Sequence, residues 1–224
     1  MKAVWYDDWR RVQIQYLEMD LVMGLPYARP YHPTWNWDRC LDDVRGLNGR
    51  LGFPRDKAGC LAFLGLKVLP EERLVKDSLD NRAVTDDSVI LSLLHHYSKA
   101  HHRRLTGTFV PFRKFSGGSS YQPTFGRRVL DKISLTFGSR PEMLGPAAEM
   151  LGGAETQLET YSWQIPALPL IPLTIVLWPQ SEEFSASSNV LFDSSADSFL
   201  PTEMLVLLAE LTSARLKKVA EYLD

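Results

Sequence analysis

The densest apolar run in the chain lies between prolines in its last third. Residues 171–178 (IPLTIVLW) are mostly aliphatic and aromatic, a pattern that predicts a strand buried on both faces. Prolines cannot donate to a β-ladder, so we expect regular pairing only over residues 173–178 and an extended arm before them. A brief apolar element follows at residues 189–193 (NVLFD), and Pro201 then opens a long closing helix.

Apolar residues at helical spacing predict helices in the rest of the chain. The predicted helices begin near Asp7, Asp38, Asp86, Pro123 and Pro201. Residues 60–69 (CLAFLGLKVL) predict two short strands about Gly65. We therefore predict an α+β fold, with a small mixed β-sheet covered by helices and a long C-terminal helix. Residues 1–36 are predicted to form an N-terminal helical and aromatic extension, and residues 37–224 a single α+β domain.

Composition narrows the class of protein. The chain has 224 residues, of which 45% are hydrophobic and 23% charged, as in soluble globular proteins with a sizeable core. A net charge of −2 gives no electrostatic case for binding nucleic acid or an anionic membrane. No apolar run approaches the roughly 20 residues of a membrane span, and the N-terminus lacks the apolar core of a signal peptide. We therefore expect a cytoplasmic protein.

The first candidate site is a glycine-rich turn among basic residues. Residues 116–120 (SGGSS) offer free backbone N–H groups, and a helix starting at Pro123 adds partial positive charge. Arginines early in that helix oppose its dipole, and a bound anion would relieve this conflict. A plain turn with solvated or ion-paired arginines is the alternative. The predicted anion site comprises Arg113, Ser116, Gly117, Gly118, Arg127 and Arg128, with Trp178, Phe184 and Phe192 as apolar walls.

The second candidate site is a set of carboxylates after the predicted strands. Glu182 and Glu183 follow the buried strand, and Asp193 and Asp197 follow the next apolar element. A carboxyl whose pKa is raised by burial suits general acid–base chemistry, and carboxylate oxygens suit Mg²⁺ or Ca²⁺. Surface acids beside serines also solvate loops and cap helices, which is the plainer interpretation.

Histidines and cysteines do not form a recognisable metal motif. Four histidines gather near the end of the predicted helix that starts at Asp86, at positions 95, 96, 101 and 102. Their spacing gives no i, i+4 pair with a carboxylate, and basic groups at a helix C-terminus also favour the helix dipole. Cys40 and Cys60 fit no zinc, iron–sulfur or redox spacing. The sequence therefore predicts no metal site.

An aromatic segment at residues 27–37 (YARPYHPTWNW) is predicted to be extended because of its prolines. Packing against its own domain is one interpretation. Contact with a protein partner or with a second copy of the chain is the other. The aromatic side chains concerned are Tyr27, Tyr31, Trp35 and Trp37.

Three segments in fixed order carry a family resemblance. They are residues 109–121 (FVPFRKFSGGSSY), 167–187 (ALPLIPLTIVLWPQSEEFSAS) and 189–201 (NVLFDSSADSFLP). Their order and spacing resemble the prokaryotic family catalogued as domain of unknown function 3786. That family shows an apolar run ending in tryptophan, then an acidic pair with phenylalanine, then leucine-phenylalanine-aspartate before a closing helix. The matching residues here are Trp178, Glu182, Glu183, Phe184, Leu191, Phe192 and Asp193.

The resemblance implies a single-domain cytoplasmic protein of a family found mainly in anaerobes, sometimes beside corrinoid, methyl-transfer or iron–sulfur functions. It supplies no catalytic residue and identifies no cofactor. We therefore predict a non-catalytic accessory or ligand-binding protein linked to corrinoid, tetrapyrrole or iron–sulfur metabolism. The alternative is a small-molecule enzyme that uses Glu182, Glu183, Asp193 and Asp197 for acid–base or divalent-metal chemistry.

Overall fold

The computed structural model describes residues 35–224. The predicted N-terminal helix lies outside the described residues, as do Tyr27 and Tyr31. Helix α1 (Trp37–Arg45) starts after Asn36, whose side chain accepts a hydrogen bond from the Arg39 amide at 3.1 Å. Asparagine is a favoured N-cap residue because its oxygen satisfies an amide that has no partner within the helix.

A small three-stranded sheet follows α1. Its strands are β1 (Leu61–Phe63), β2 (Leu66–Leu69) and β3 (Leu74–Asp77), paired antiparallel in the order β1-β2-β3. Leu64 and Gly65 form the turn between β1 and β2, and both have positive φ. The prediction of two strands about Gly65 is confirmed. Strand β3 was not predicted, because a four-residue strand with two charged side chains carries little hydrophobic signal.

The next segment consists mainly of helices. Its elements are α2 (Ser88–Ser98), β4 (Phe109–Pro111), a 3₁₀ turn (Phe112–Lys114), α3 (Gly118–Phe125), a π-helical segment (Gly126–Leu130) and α4 (Asp131–Phe137). The last three form one continuous helix. It begins at Gly118, so Pro123 is its sixth residue and does not lie in the first turn as predicted.

The main sheet has five strands. After a 3₁₀ turn (Pro141–Met143) and α5 (Leu144–Met150) come β5 (Ala154–Glu155), β6 (Ser162–Leu168), β7 (Ile171–Trp178) and β8 (Ser187–Asp193). The strand order is β4-β8-β7-β6-β5, and every neighbouring pair is antiparallel. The α+β class is confirmed. Both sheets are antiparallel throughout, which differs from the mixed sheet that was expected.

The predicted extended arm before residue 171 is in fact strand β6, paired with β7. The register shifts between Ile165 and Leu168, and Pro166 lies within that irregularity. A bulge accommodates proline because the residue there does not need to donate to the ladder. The prediction that β7 is buried on both faces is confirmed, since Leu173 to Leu177 are all buried.

The long closing helix α6 (Thr202–Leu223) confirms the expected C-terminal helix and packs against α4, α5 and the main sheet. It also holds the small sheet through a buried ion pair. The guanidinium of Arg215 makes two hydrogen bonds to the carboxylate of Asp77 and also donates to the Leu64 carbonyl at 2.9 Å. Within residues 35–224, no helix is long and apolar enough to cross a membrane.

Candidate functional site

The four predicted carboxylates do not lie together. Glu182 and Glu183 are on the loop after β7, whereas Asp193 is the last residue of β8 and Asp197 follows that strand. Because β7 and β8 are antiparallel neighbours, their carboxyl ends lie at opposite ends of the strand pair. The seven residues of β8 separate the two pairs by roughly 20 Å, at about 3.3 Å per residue. The expected acidic cluster is therefore not formed.

The side chain of Asp193 serves the structure of the fold. Its buried carboxylate accepts five hydrogen bonds: one from the Gly107 amide at 2.7 Å, and two each from Thr106 and Ser195 through amide and hydroxyl. Burial acts to raise the pKa of the Asp193 carboxyl, but the bonds from Ser195 and Thr106 outweigh it and lower the pKa to about 2. The carboxylate thus fixes the loop before β4 and is poorly suited to accept a proton near neutral pH.

The glycine-rich turn has a steric explanation. Gly117 precedes α3 with φ of 75°, and a Cβ on Gly118 would lie 2.3 Å from the Phe112 carbonyl oxygen. The Ser119 hydroxyl donates to the carbonyl of Arg113 at 3.0 Å. Both glycines therefore let the helix start in close contact with the preceding 3₁₀ turn.

The two arginines of the predicted anion site lie farther along the helix. Arg127 and Arg128 belong to the π-helical segment, whereas the helix begins at Gly118. Arg128 points towards α6, where it donates to Glu210 at 3.4 Å and to the Tyr121 hydroxyl at 3.2 Å. Arg127 lines a surface groove. Of the polar residues in the predicted anion site, only Arg113 and residues 116–118 remain together near the start of the helix. An anion site at these residues stays a prediction.

The three aromatic residues predicted to form the apolar walls of the anion site do not lie together. Phe192 is fully buried and packs against other core rings, with centroids 5.4 Å away for Phe115 and 6.3 Å for Phe112. Trp178 and Phe184 lie at the opposite end of β8, Trp178 opposite Ser187 and Phe184 in the loop before it, and they are 42% and 71% exposed. The motif therefore contains one core aromatic and two surface aromatics.

The histidines are held by neighbours within the domain. His95 Nδ1 lies 2.7 Å from Asp43 Oδ2, and His96 Nδ1 donates to the Ser92 carbonyl at 2.8 Å. Burial lowers the pKa of His95, and the bond to Asp43 offsets this only in part. The Trp35 ring packs on both imidazoles, with centroids 4.7 Å and 5.1 Å away. In the part of the chain that the structure describes, no three His, Cys, Asp or Glu residues are grouped for a metal ion.

The aromatic residues at the start of the described chain contact their own domain. Trp35 packs on the two histidines, and Arg39 lies over its ring at 4.3 Å from the centroid. Trp37 Nε1 donates to Asp87 Oδ2 at 2.7 Å. For these two tryptophans, the geometry favours packing over partner contact.

The feature that remains is the hairpin tip, residues 178–186, between β7 and β8. A tight turn fixes it: the Ser181 amide donates to the Phe184 carbonyl at 2.9 Å, and the Phe184 amide donates to the Ser181 hydroxyl at 3.1 Å. The Gln180 amide donates to the Gly138 carbonyl at 3.1 Å, just after α4. A Cβ on Gly138 would lie 2.3 Å from Ala186 Cβ, so glycine allows this close approach. The tip is thus anchored at both ends.

Beside the tip lies a groove between α4 and α6, here called the α4–α6 groove. It encloses about 460 Å³, and Arg127, Lys132, Arg140 and Lys217 bring positive charge to its walls. Asp131 and Glu221 also line it, and Leu135 stands in it with 86% of its surface exposed. An open groove with a basic rim and an apolar side chain suits a partner segment that is acidic and apolar.

Sequence reasoning missed this groove because its residues come from two helices far apart in the chain. The available signal was Leu135. It is a large apolar residue on the polar side of the stripe formed by Val129, Ile133 and Phe137, all of which are buried. An apolar residue off the buried stripe marks a helix face with a possible second contact.

A second cleft of about 250 Å³ lies at α5 and the start of β6. Tyr161 and Trp163 line it together with Glu142, Glu149 and Glu155. Aromatic faces and carboxylates together favour cationic groups. Neither the α4–α6 groove nor this cleft is lined by a residue of the hairpin tip.

Comparison with known proteins gives a family match. The model of the family described as Domain of unknown function (DUF3786) matches residues 43–215. No curated protein and no solved structure matches the chain. The matched range includes the whole hairpin tip and the α4 side of the groove.

Proposed function

The chain belongs to the family described as Domain of unknown function (DUF3786), and we propose that this protein is a non-catalytic cytoplasmic accessory protein that binds a protein partner through its hairpin tip. One observation carries the proposal. Phe184 is 71% exposed on a turn that is held by hydrogen bonds, and Trp178, the last residue of β7, is 42% exposed at the base of the same tip. Exposed aromatic residues of this kind commonly anchor protein interfaces.

Charge at the tip supports the same proposal. Glu182 and Glu183 are exposed and form no ion pair with any residue in the range 35–224. Acidic residues flanking an aromatic anchor favour a partner with a basic rim around an apolar pocket. A turn that is already ordered also lowers the entropy cost of binding.

The enzyme alternative lacks a comparable observation. It requires Glu182, Glu183, Asp193 and Asp197 to act together, and β8 separates them into two pairs. The lowered pKa of Asp193 further opposes a role as acid or base near neutral pH.

The metabolic setting is a separate part of the proposal and rests on the family resemblance. We propose that the partner serves corrinoid, tetrapyrrole or iron–sulfur metabolism. The test is to purify the intact complex from the native host without oxygen and to measure its ultraviolet–visible spectrum and metal content. Corrinoid, tetrapyrrole or iron–sulfur absorption in the complex supports this part. A complex free of these cofactors, whose partner belongs to other metabolism, contradicts it.

Site-specific photo-crosslinking tests the binding proposal. A benzophenone amino acid replaces Phe184 in the protein expressed in its native host, and a control places it at Leu158, which is 45% exposed on another loop. We expect a single abundant cross-linked species at position 184 that is missing at position 158. It should also disappear when Glu182→Lys and Glu183→Lys are added. Equal cross-linking at both positions, or none at 184, would overturn the proposal.

A further inference from the structure

We infer that the hairpin tip binds a second copy of this chain, with the tip of each copy seated in the α4–α6 groove of the other. The inference rests on the proposed function, because it assigns the partner of the same tip. The protein is then a two-fold symmetric dimer in which the contact between tip and groove occurs twice.

The two surfaces are complementary in charge. The tip carries Glu182 and Glu183 at the centre of its turn, and no positively charged residue occurs between positions 178 and 186. In the groove, Arg127 has no ion pair with any described residue. Lys217 forms one long ion pair, with its Nζ 3.6 Å from Glu221 Oε1. Arg140, by contrast, is already paired with Asp224. An acidic segment therefore enters a groove in which Arg127 and Lys217 are the basic groups available to it.

The two surfaces also match in apolar character. Phe184 is 71% exposed at the tip, and Leu135 is 86% exposed in the groove. Each is a large apolar side chain that gains little from its own fold. Placing one on the other removes both from water and supplies the apolar centre that the acidic and basic residues surround.

The positions of the tip and the groove in the chain are consistent with a two-fold symmetric dimer. The tip is anchored to the carbonyl of Gly138, and the groove is lined by Leu135 and Arg140 on either side of that residue. The anchor point of the tip therefore lies within three residues of two residues that line the groove, next to the end of α4. A two-fold axis between two facing copies then brings each tip to the opposite groove, which closes the assembly as a dimer.

Paired charge reversals test the inference. The tip variant carries Glu182→Lys and Glu183→Lys, and the groove variant carries Arg127→Glu and Lys217→Glu. All four positions are exposed, so the fold is expected to tolerate the changes. Lys57→Glu with Lys67→Glu is the control, because both lysines are exposed but lie outside the tip and groove.

Sedimentation velocity is the measurement. The wild-type chain and the control are expected to sediment at twice the 25.4 kDa chain mass, and each charge variant alone as a monomer. Like charges in both contacts should weaken dimerisation by about 100-fold. An equimolar mixture of the two variants is expected to dimerise again, because a mixed pair restores opposite charges in both contacts. That restoration also shows that neither variant is misfolded.

Two results would overturn the inference. One is a wild-type chain that stays monomeric at all concentrations, and the other is a mixture that stays monomeric while the wild type dimerises. If position 184 then cross-links a different protein, the proposed function stands and the second-copy assignment falls. If position 184 cross-links nothing, both fall.

Discussion

Trp178, Phe184, Phe192 and Asp193 belong to one short sequence motif but occupy two different environments. Phe192 and Asp193 are buried, and they hold the core and the loop before β4. Trp178 and Phe184 are exposed at the other end of the hairpin. The residue types alone do not distinguish these environments, because an aromatic residue or an aspartate serves a core as readily as a surface.

Asp193→Asn should destabilise the fold by about 2–3 kcal/mol at neutral pH. The amide NH₂ that replaces one carboxylate oxygen faces the Gly107 amide, so two donors meet in a buried position. Urea unfolding gives the free energy. Asp197→Asn is the control, because Asp197 is exposed and its replacement should change stability by less than about 0.5 kcal/mol. Equal stability of Asp193→Asn and wild type would contradict the structural role.

The same carboxylate predicts a pH dependence. The folded pKa of Asp193 is about 2, below its usual value of 3.8, so its stabilising effect is complete above about pH 4 and is lost towards pH 2. At about 1.4 kcal/mol per pKa unit, the loss amounts to about 2 kcal/mol. Unfolding measured between these pH values should show a steeper loss for wild type than for Asp193→Asn. Parallel curves would argue against this assignment.

Two glycines of the same helix should respond to alanine with opposite signs. A Cβ on Gly118 meets the Phe112 carbonyl at 2.3 Å, so Gly118→Ala should cost about 1–3 kcal/mol. A Cβ on Gly126 meets nothing within 4 Å, so Gly126→Ala should stabilise the helix by up to about 1 kcal/mol. Thermal unfolding compares the two. A stabilising Gly118→Ala would show that the close helix start is not needed.

Among the helices and strands, those with a strong periodic pattern of apolar residues were predicted correctly. The buried strand β7, the strands about Gly65, and helices α2 and α6 follow from apolar runs and helical spacing. Strand β6 was missed because its proline was taken to prevent pairing, whereas a bulge accommodates it. The start of α3 was missed because Gly117 and Gly118 are typical of a turn, and only the contact with Phe112 explains glycine at position 118.

The buried pair of Asp77 and Arg215 joins the small sheet to α6 and predicts a coupled effect. Arg215→Met should cost about 3 kcal/mol, because Asp77 is left buried with only Lys218 as a charged partner at 2.7 Å. Adding Asp77→Leu should recover most of that loss. Lys57→Met, at an exposed position outside the tip and the groove, is the control. Chemical denaturation gives the free energy of unfolding of the wild type, the single variant, the double variant and the control. A double variant no more stable than Arg215→Met would contradict the coupling.

At the scale of the whole molecule, the candidate binding surface depends on parts that are distant in sequence. The α+β class and the long closing helix were predictable because each element carries its own pattern. The groove was not, because Arg127 and Lys217 come together only when α6 packs beside α4. The acidic cluster failed for a related reason, since its formation depended on strand direction, which composition does not encode.

The Phe184→Ser substitution tests whether the hairpin tip serves binding. Phe184 is 71% exposed, so the substitution should change the free energy of unfolding by less than about 0.5 kcal/mol. Native mass spectrometry of protein purified from its own host should show that the assembled species, whether dimer or complex, is lost. Leu158→Ser should leave both stability and assembly unchanged. Unchanged assembly in Phe184→Ser, or a stability loss of about 2 kcal/mol or more, would contradict the account.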